Sequence, residues 1–190
     1  ATKSMYISGQ APTSLHNCCS GKHTGFLTLA KDLEDDPAFA VPGYLDPAHG
    51  VQIRVRDAQA LMTGVDLQDQ VPVIDGCGIP VYQFPLVSLA QAMARLVTPE
   101  AVPAMFADAA ARVTAALPGR SFLVSGTGRP PYVLTGAATE PMILKGGAEG
   151  VMMGALPERG IGFALKCEDG NGRGVDEAVA AVLHQLGVLP

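Results

Sequence analysis

The sequence predicts an α+β or α/β sandwich in which a layer of helices lies against an antiparallel sheet. Two patterns carry this reading. Up to residue 117 the chain holds four stretches whose apolar side chains repeat with helical spacing. From residue 122 it holds five short apolar runs divided by glycine and proline, followed by one last helical stretch. Helices early and strands late indicate segregated layers. A third observation bounds the answer: 48% of the residues are apolar, and 22 glycines and 15 prolines sit between the apolar runs rather than within them. That composition supports a packed core joined by tight turns, and 190 residues suit a single domain spanning 1–190.

The elements follow in order. Residues 1–19, with Pro12 and Asn17, read as a loop or extended entry. The spacing of Phe26, Leu29, Ala30 and Leu33 predicts an amphipathic helix over 21–34, with Ser20 as its N-cap and Asp35-Asp36-Pro37 as its stop. Residues 37–50 are turn-rich. Val55, Ala58 and Met62 mark one side of a helix over 51–63. Val71 to Gly78 reads as a short strand entering a tight turn, where Gly76 and Gly78 permit unusual backbone angles. Leu86, Leu89, Ala90, Met93, Leu96 and Val97 form one face of a helix over 86–97. Thr98-Pro99-Glu100 opens another helix, read as running to Leu117. Phe122–Val124, Tyr132–Leu134, Met142–Leu144, Val151–Met153 and Ile161–Leu165 read as strands. Val179, Val182, Leu183 and Leu186 predict a final helix over 175–186.

Charge and apolar runs exclude several classes. The net charge is −5, and the 13 Lys and Arg residues never cluster, so a nucleic-acid surface is not expected. No apolar run reaches the roughly 18 residues that mark a membrane span. The four cysteines, Cys18, Cys19, Cys77 and Cys167, do not form a disulfide framework, because two are adjacent and the chain is not a small secreted scaffold. They read as thiols in a cytoplasm-like compartment, with Cys18 and Cys167 as small buried hydrophobes.

Three constellations carry polar chemistry. The first is Cys19-x-x-Lys22-His23, at the mouth of the first predicted helix. A thiol there, beside an ammonium, loses its proton more easily than a free one. The second is Asp75-Gly76-Cys77-Gly78. Two thiolates from Cys19 and Cys77, a nitrogen from Lys22 or His23, and a water satisfy tetrahedral zinc. The competing reading is two buried thiols and two solvated basic side chains, since no CxxC pair is present. The third is Lys145-Gly146-Gly147-Ala148-Glu149-Gly150, where a strand-end lysine precedes glycines. It resembles the Lys-Thr-Gly element of penicillin-recognising enzymes. The alternative is a solvated lysine above a hairpin, with Glu149 as its ion-pair partner. Gly126-Thr127-Gly128-Arg129 lacks the Gly-Lys-Ser/Thr of a phosphate loop, and Arg129 is instead suited to hold a carboxylate bidentately. His49 falls in a turn, His184 on a helix, and His16 close to the cysteine stretch.

Taken together, these motifs resemble the asparaginase II family of amidohydrolases. The matching stretches are Leu15-His16-Asn17-Cys18-Cys19-Ser20-Gly21-Lys22-His23-Thr24-Gly25-Phe26-Leu27, Tyr44-Leu45-Asp46-Pro47-Ala48-His49, Asp75-Gly76-Cys77-Gly78-Ile79-Pro80, Lys145-Gly146-Gly147-Ala148-Glu149-Gly150-Val151 and Ala164-Leu165-Lys166-Cys167-Glu168-Asp169-Gly170 with Arg173. The resemblance implies a serine β-lactamase-like fold and hydrolysis of L-asparagine to L-aspartate and ammonia. It implies a zinc site made by Cys19, Lys22 and Cys77, substrate contacts from His23 and Asp75, and Lys145 as the lysine that partners a catalytic serine. A homodimer is a further expectation, because such sites are often completed near subunit contacts. The family's Ser-x-x-Lys motif lies upstream of the CSGKH stretch, so the nucleophile is expected outside these residues and the fold is expected to be incomplete. Within the chain Ser4, Ser14, Ser20, Ser88, Ser121 and Ser125 all lack Lys at the third following position, and Thr28-x-x-Lys31 falls mid-helix. Pro130-Pro131-Tyr132 stands where the family has an acidic residue and a threonine, which argues against a role for Arg129. Two other readings share the scaffold: a zinc-dependent amino-acid-binding protein without hydrolysis, and a glutaminase-like or penicillin-recognising enzyme.

Overall fold

The computed structural model describes residues 2–190, with side chains from Met5 onward. The fold is mixed α and β, with eight α-helices and two antiparallel sheets among the described residues. The chain divides into two compact units, one of residues 1–59 and 66–83, the other of residues 60–65 and 84–190. Residue 1 of the predicted entry loop lies outside the described residues.

The first unit contains α1 (Thr2–Ser8), a 3-10 turn at Ser14–His16, α2 (Ser20–Asp32), a second 3-10 turn at Pro37–Phe39, most of α3 (Gly50–Thr63), and the hairpin of β1 (Val73–Ile74) with β2 (Pro80–Val81). Its core is Phe26, Ala30, Phe39, Val51 and Ile79, with Leu29, Leu33, Tyr44, Val55 and Cys77 packed around them. The stripe predicted for α2 is therefore the buried one. The predicted loop over 1–19 is corrected by α1 and the 3-10 turn. The predicted cap is corrected too: Cys19 occupies the N-cap position, and its sulfur makes no capping hydrogen bond.

The second unit is built on a three-stranded sheet, β3 (Ile143–Gly146), β4 (Val151–Leu156) and β5 (Ile161–Lys166), in the order β3-β4-β5. Period-two alternation sends side chains to opposite faces. Met142, Leu144, Met152, Leu156 and Phe163 meet Val175, Val179 and Leu183 of α8 (Gly172–Gln185). Ile143 and Ala155 meet Met93 and Val97 of α4 (Leu86–Val97) on the other face. The helix–sheet layering expected from sequence is present here, with a helix on each side.

Gly162 sets how closely α4 approaches β5. A Cβ there would overlap the main chain of Ala90 and Ala94, which cannot rotate away. Gly162→Ala is expected to destabilise by about 3 kcal/mol, the upper part of the overpacking range. For a chain of this length that lowers Tm by roughly 6–12 °C. A thermal melt checks it against Gly172→Ala, whose Cβ meets nothing. Equal melting of the two variants would refute the packing argument.

Three further expectations are corrected. The helix read from Thr98 to Leu117 is a 3-10 turn at Pro99–Ala101 followed by α5 (Ala104–Ala116). Val102, held extended at φ −111° and ψ 155° before Pro103, breaks the continuity. Phe122–Val124 lies within α6 (Ser121–Ser125), and Tyr132–Leu134 within α7 (Pro130–Ala137). Runs of three apolar residues carry no period, and Pro130 pre-sets the first turn of α7. Phe122, Leu123, Tyr132 and Val133 are exposed rather than laid on a sheet, the rings of Phe122 and Tyr132 meeting edge to face at 6.5 Å. No helix among the described residues is long and apolar enough to cross a membrane.

Candidate active site and metal centre

The mouth of α2 is shaped by Asn17. Its Oδ1 accepts the Cys19 N–H at 2.8 Å, and its carbonyl accepts the Ser20 N–H at 3.0 Å. This local turn competes with helical hydrogen bonding, and the helix begins at Ser20. Cys19 is left at the threshold with its sulfur uncommitted to the helix.

The β1–β2 turn supplies the second half. Gly78 donates its N–H to the Asp75 carbonyl at 2.8 Å, and Asp75 donates its N–H to the Ile79 carbonyl at 2.9 Å. Gly78 has φ +90°, and Leu45 Cδ1 lies 3.3 Å from where a Cβ would stand. Only glycine suits both conditions. The turn directs the carboxylate and the thiol together: Cys77 Sγ donates to Asp75 Oδ2 at 3.4 Å, and Gly76 N–H donates to Asp75 Oδ1 at 2.7 Å.

The two halves meet. Ligand atoms of Cys19, Asp75 and Cys77 all lie within 4.8 Å of one another. Lys22 Nζ stands 3.6 Å from Asp75 Oδ2. The Gly76 N–H, then the Cys77 thiol and the Lys22 ammonium, hold the Asp75 carboxyl below its ordinary pKa. Cys19 moves the other way. Burial and hydrogen bonding with Cys77 and Cys18 raise its thiol above the ordinary value, against the pull of Lys22. The easily ionised thiol expected at a helix mouth is thus corrected, because desolvation exceeds the nearby positive charge.

His23 is drawn elsewhere. Its Nδ1 shares a 2.7 Å hydrogen bond with the Tyr44 hydroxyl, and its ring stands edge-on to Phe26 and Tyr44. Its Nε2 is closed to solvent and has no hydrogen-bond partner among the described residues.

The model of one protein family, L-asparaginase II, matches residues 1–190, the whole chain. The chain belongs to the L-asparaginase II family. No curated protein matches it. Family membership makes it an asparaginase-type amidohydrolase in general terms, with a small-molecule substrate.

Five of the six site residues read from the sequence of this asparaginase II member, Cys19, Lys22, His23, Asp75 and Cys77, lie in the first unit. Lys145 lies in the second, exposed on β3, where its Nζ donates to the carbonyl of its own neighbour Gly146. The expected Lys145–Glu149 pair is not among the ion pairs of the described residues. Glu149 instead holds a left-handed backbone, φ +55°, with its carboxylate beside Gly170. Cys18 and Cys167 are not buried hydrophobes: Cys18 is exposed, and the Cys167 thiol donates to Asp169 Oδ1 at 3.0 Å, which raises its pKa.

Thr28-x-x-Lys31 is a surface feature. Thr28 donates its hydroxyl to the Thr24 carbonyl at 2.8 Å, and Lys31 pairs with Glu34 at 2.6 Å. Arg129 stands at the N-cap of α7. His16 and His49 bond local backbone, His16 Nδ1 to the Thr13 N–H at 3.0 Å and His49 Nε2 to the Ala40 carbonyl at 2.8 Å. Sequence reasoning assigned no role to Tyr44 or Asn17. Asn17 carries a readable signal, an Asx residue just before a helix start, whereas Tyr44 carries none outside its place in the Tyr44–His49 match.

Proposed function

We propose that this domain hydrolyses the side-chain amide of L-asparagine on a serine β-lactamase-like scaffold, with a zinc ion held by Cys19, Lys22 and Cys77. The observation that carries the reading is the convergence of two thiols, a carboxylate and an ammonium in a chain of the L-asparaginase II family.

The donor set suits zinc. On a tetrahedral ion with Zn–S near 2.3 Å, ligand atoms stand roughly 3.3–3.8 Å apart, and the Cys19 and Cys77 sulfurs already lie within 4.8 Å of each other. Lys22 Nζ is 3.6 Å from a carboxylate oxygen beside Asp75's thiol partner Cys77 and must shed a proton to become a ligand. Bound zinc would supply a fixed positive charge that offsets the thiolates and orders the site. Asp75, kept ionised by Gly76 and Cys77, is suited to receive the α-ammonium of asparagine. While Lys22 pairs with Asp75 it occupies that place; turning Lys22 to the metal vacates it.

Lys145 would act as a neutral amine. It takes the proton of a serine hydroxyl as that oxygen bonds to the amide carbon, and passes it to the departing nitrogen. Ammonia leaves, and water cleaves the resulting ester to aspartate. The serine would come from outside these residues, since none of the chain's serines has Lys at the third following position. A second reading of the same scaffold is binding of asparagine without hydrolysis.

Ammonia release from L-asparagine by zinc-loaded protein separates the two. Release supports the amidohydrolase; calorimetric binding with no ammonia supports the binding protein; neither contradicts both. Glutamine belongs in the same assay, because one methylene of pocket depth is worth only about 1–3 kcal/mol. Comparable turnover of glutamine would move the assignment to a glutaminase-like enzyme.

A further inference from the structure

We propose that Tyr44 is a positioning residue for His23: its hydroxyl fixes the imidazole as the Nε2–H tautomer, so that His23 meets its ligand as a hydrogen-bond donor to an oxygen. The ligand part of this rests on the substrate role proposed above for His23; the tautomer part does not.

Three observations converge on it. The first is the His23 Nδ1 to Tyr44 hydroxyl distance of 2.7 Å, normal for a bond in which O–H is the donor. A phenol gives a proton into a hydrogen bond more readily than it accepts one. With Nδ1 accepting, the single proton of a neutral imidazole sits on Nε2.

The second is that Tyr44 is itself anchored. Gln52, on α3 and only 2% exposed, donates its side-chain N–H to the Tyr44 carbonyl at 2.8 Å. Tyr44 sits in the turn-rich segment between α2 and α3. The buried amide ties that turn to a helix. The adjoining Leu45 packs on Gly78 of the turn that carries Asp75 and Cys77. One short segment therefore braces both halves of the site.

The third is the state of the ring. His23 stands edge-on to Tyr44 at 5.8 Å and 87°, and to Phe26 at 5.9 Å and 67°. Its Nε2 is shut off from solvent and has no hydrogen-bond partner among the described residues. A buried N–H left without a partner is costly, and burial also strengthens whatever hydrogen bond it finally makes. An oxygen acceptor, such as a carboxylate or amide oxygen of an amino acid, removes that cost. Reaching Nε2 takes a displacement of the groups around the ring, so binding there is accompanied by a local rearrangement.

The test is long-range 15N–1H NMR of zinc-loaded protein labelled at histidine, under mildly alkaline conditions, with His23 assigned by His23→Asn. Tyr44→Phe keeps the ring and the carbonyl that Gln52 holds, removing only the hydroxyl. The expected result is an unprotonated Nδ1 and a protonated Nε2 for His23 in the wild type. Tyr44→Phe is expected to give tautomer-averaged signals with an unchanged melting temperature, and calorimetric affinity for L-asparagine lower by about 2- to 10-fold, the equivalent of one ordinary hydrogen bond. A protonated Nδ1 in the wild type overturns the proposal, as does a wild-type tautomer preserved in Tyr44→Phe. A Tyr44-dependent tautomer with no response of His23 to asparagine supports the positioning role and overturns the substrate reading instead.

Discussion

Lys145→Ala is expected to lower ammonia release from L-asparagine by about 10²- to 10⁴-fold, the range for losing a group that moves a proton in the transition state. Little structural damage should accompany it. Lys145 is exposed on β3, pairs in register with Met153, and spends its amine on the neighbouring carbonyl. Truncating it leaves the β3–β4 ladder and both packed faces of the sheet intact, so the melting temperature should hold. Lys145→Arg sharpens the test. A guanidinium keeps the charge but cannot be neutral in a protein, so it cannot accept a hydroxyl proton. Arginine should therefore fail as completely as alanine. A rate within twofold of wild type in the alanine variant, or rescue by arginine, would show that Lys145 is not the proton acceptor.

Cys77→Ser is expected to reduce bound zinc from about one per chain to a small fraction of that. A serine hydroxyl stays protonated where a cysteine ionises on the metal. The loss should exceed the roughly 10–100-fold that removal of an outer-shell partner costs. The same change replaces the thiol that donates to Asp75 and partners Cys19 by a hydroxyl on a shorter bond, which can still donate to the carboxylate. Cys18→Ser is the matched control. Cys18 is exposed, with its Sγ 3.8 Å from the Cys19 sulfur. It should keep its zinc. Metal analysis of protein purified without chelator reads both variants, and equal zinc in Cys77→Ser and wild type would remove Cys77 from the ligand set.

How far the sequence could be read depended on whether a segment's order comes from its own pattern or from distant contacts. The helices α2, α3, α4 and α8 were legible because each repeats apolar residues at helical spacing, and the strands β3 to β5 because each is a short apolar run bounded by turn formers. The segments α6 and α7 were not, because three apolar residues between turn formers are compatible with strand or helix. The break at Pro103 was legible in principle: a proline that follows a possible helix start by four residues removes a donor and bends its predecessor out of the helix. The site divides in the same way. Cys19, Lys22 and the Asp75–Gly78 turn were readable as chemistry-bearing motifs, and family resemblance joined them. That Asp75 stands among the thiols follows from the hairpin, whose Gly78 lets the turn fold back on itself. That the Cys19 thiol pKa is pushed above its ordinary value follows first from desolvation, which local sequence does not report. Tyr44 belongs to a segment without periodicity, and its role rests on contacts with α2 and α3.

The most direct test of the zinc centre is X-ray absorption at the zinc edge of the zinc-loaded protein. Two sulfur neighbours at about 2.3 Å, with the remaining shell nitrogen or oxygen at about 2.0–2.1 Å, are the expected result. A shell of nitrogen and oxygen alone, or a sulfur count unchanged in Cys77→Ser, would contradict a centre built from Cys19 and Cys77.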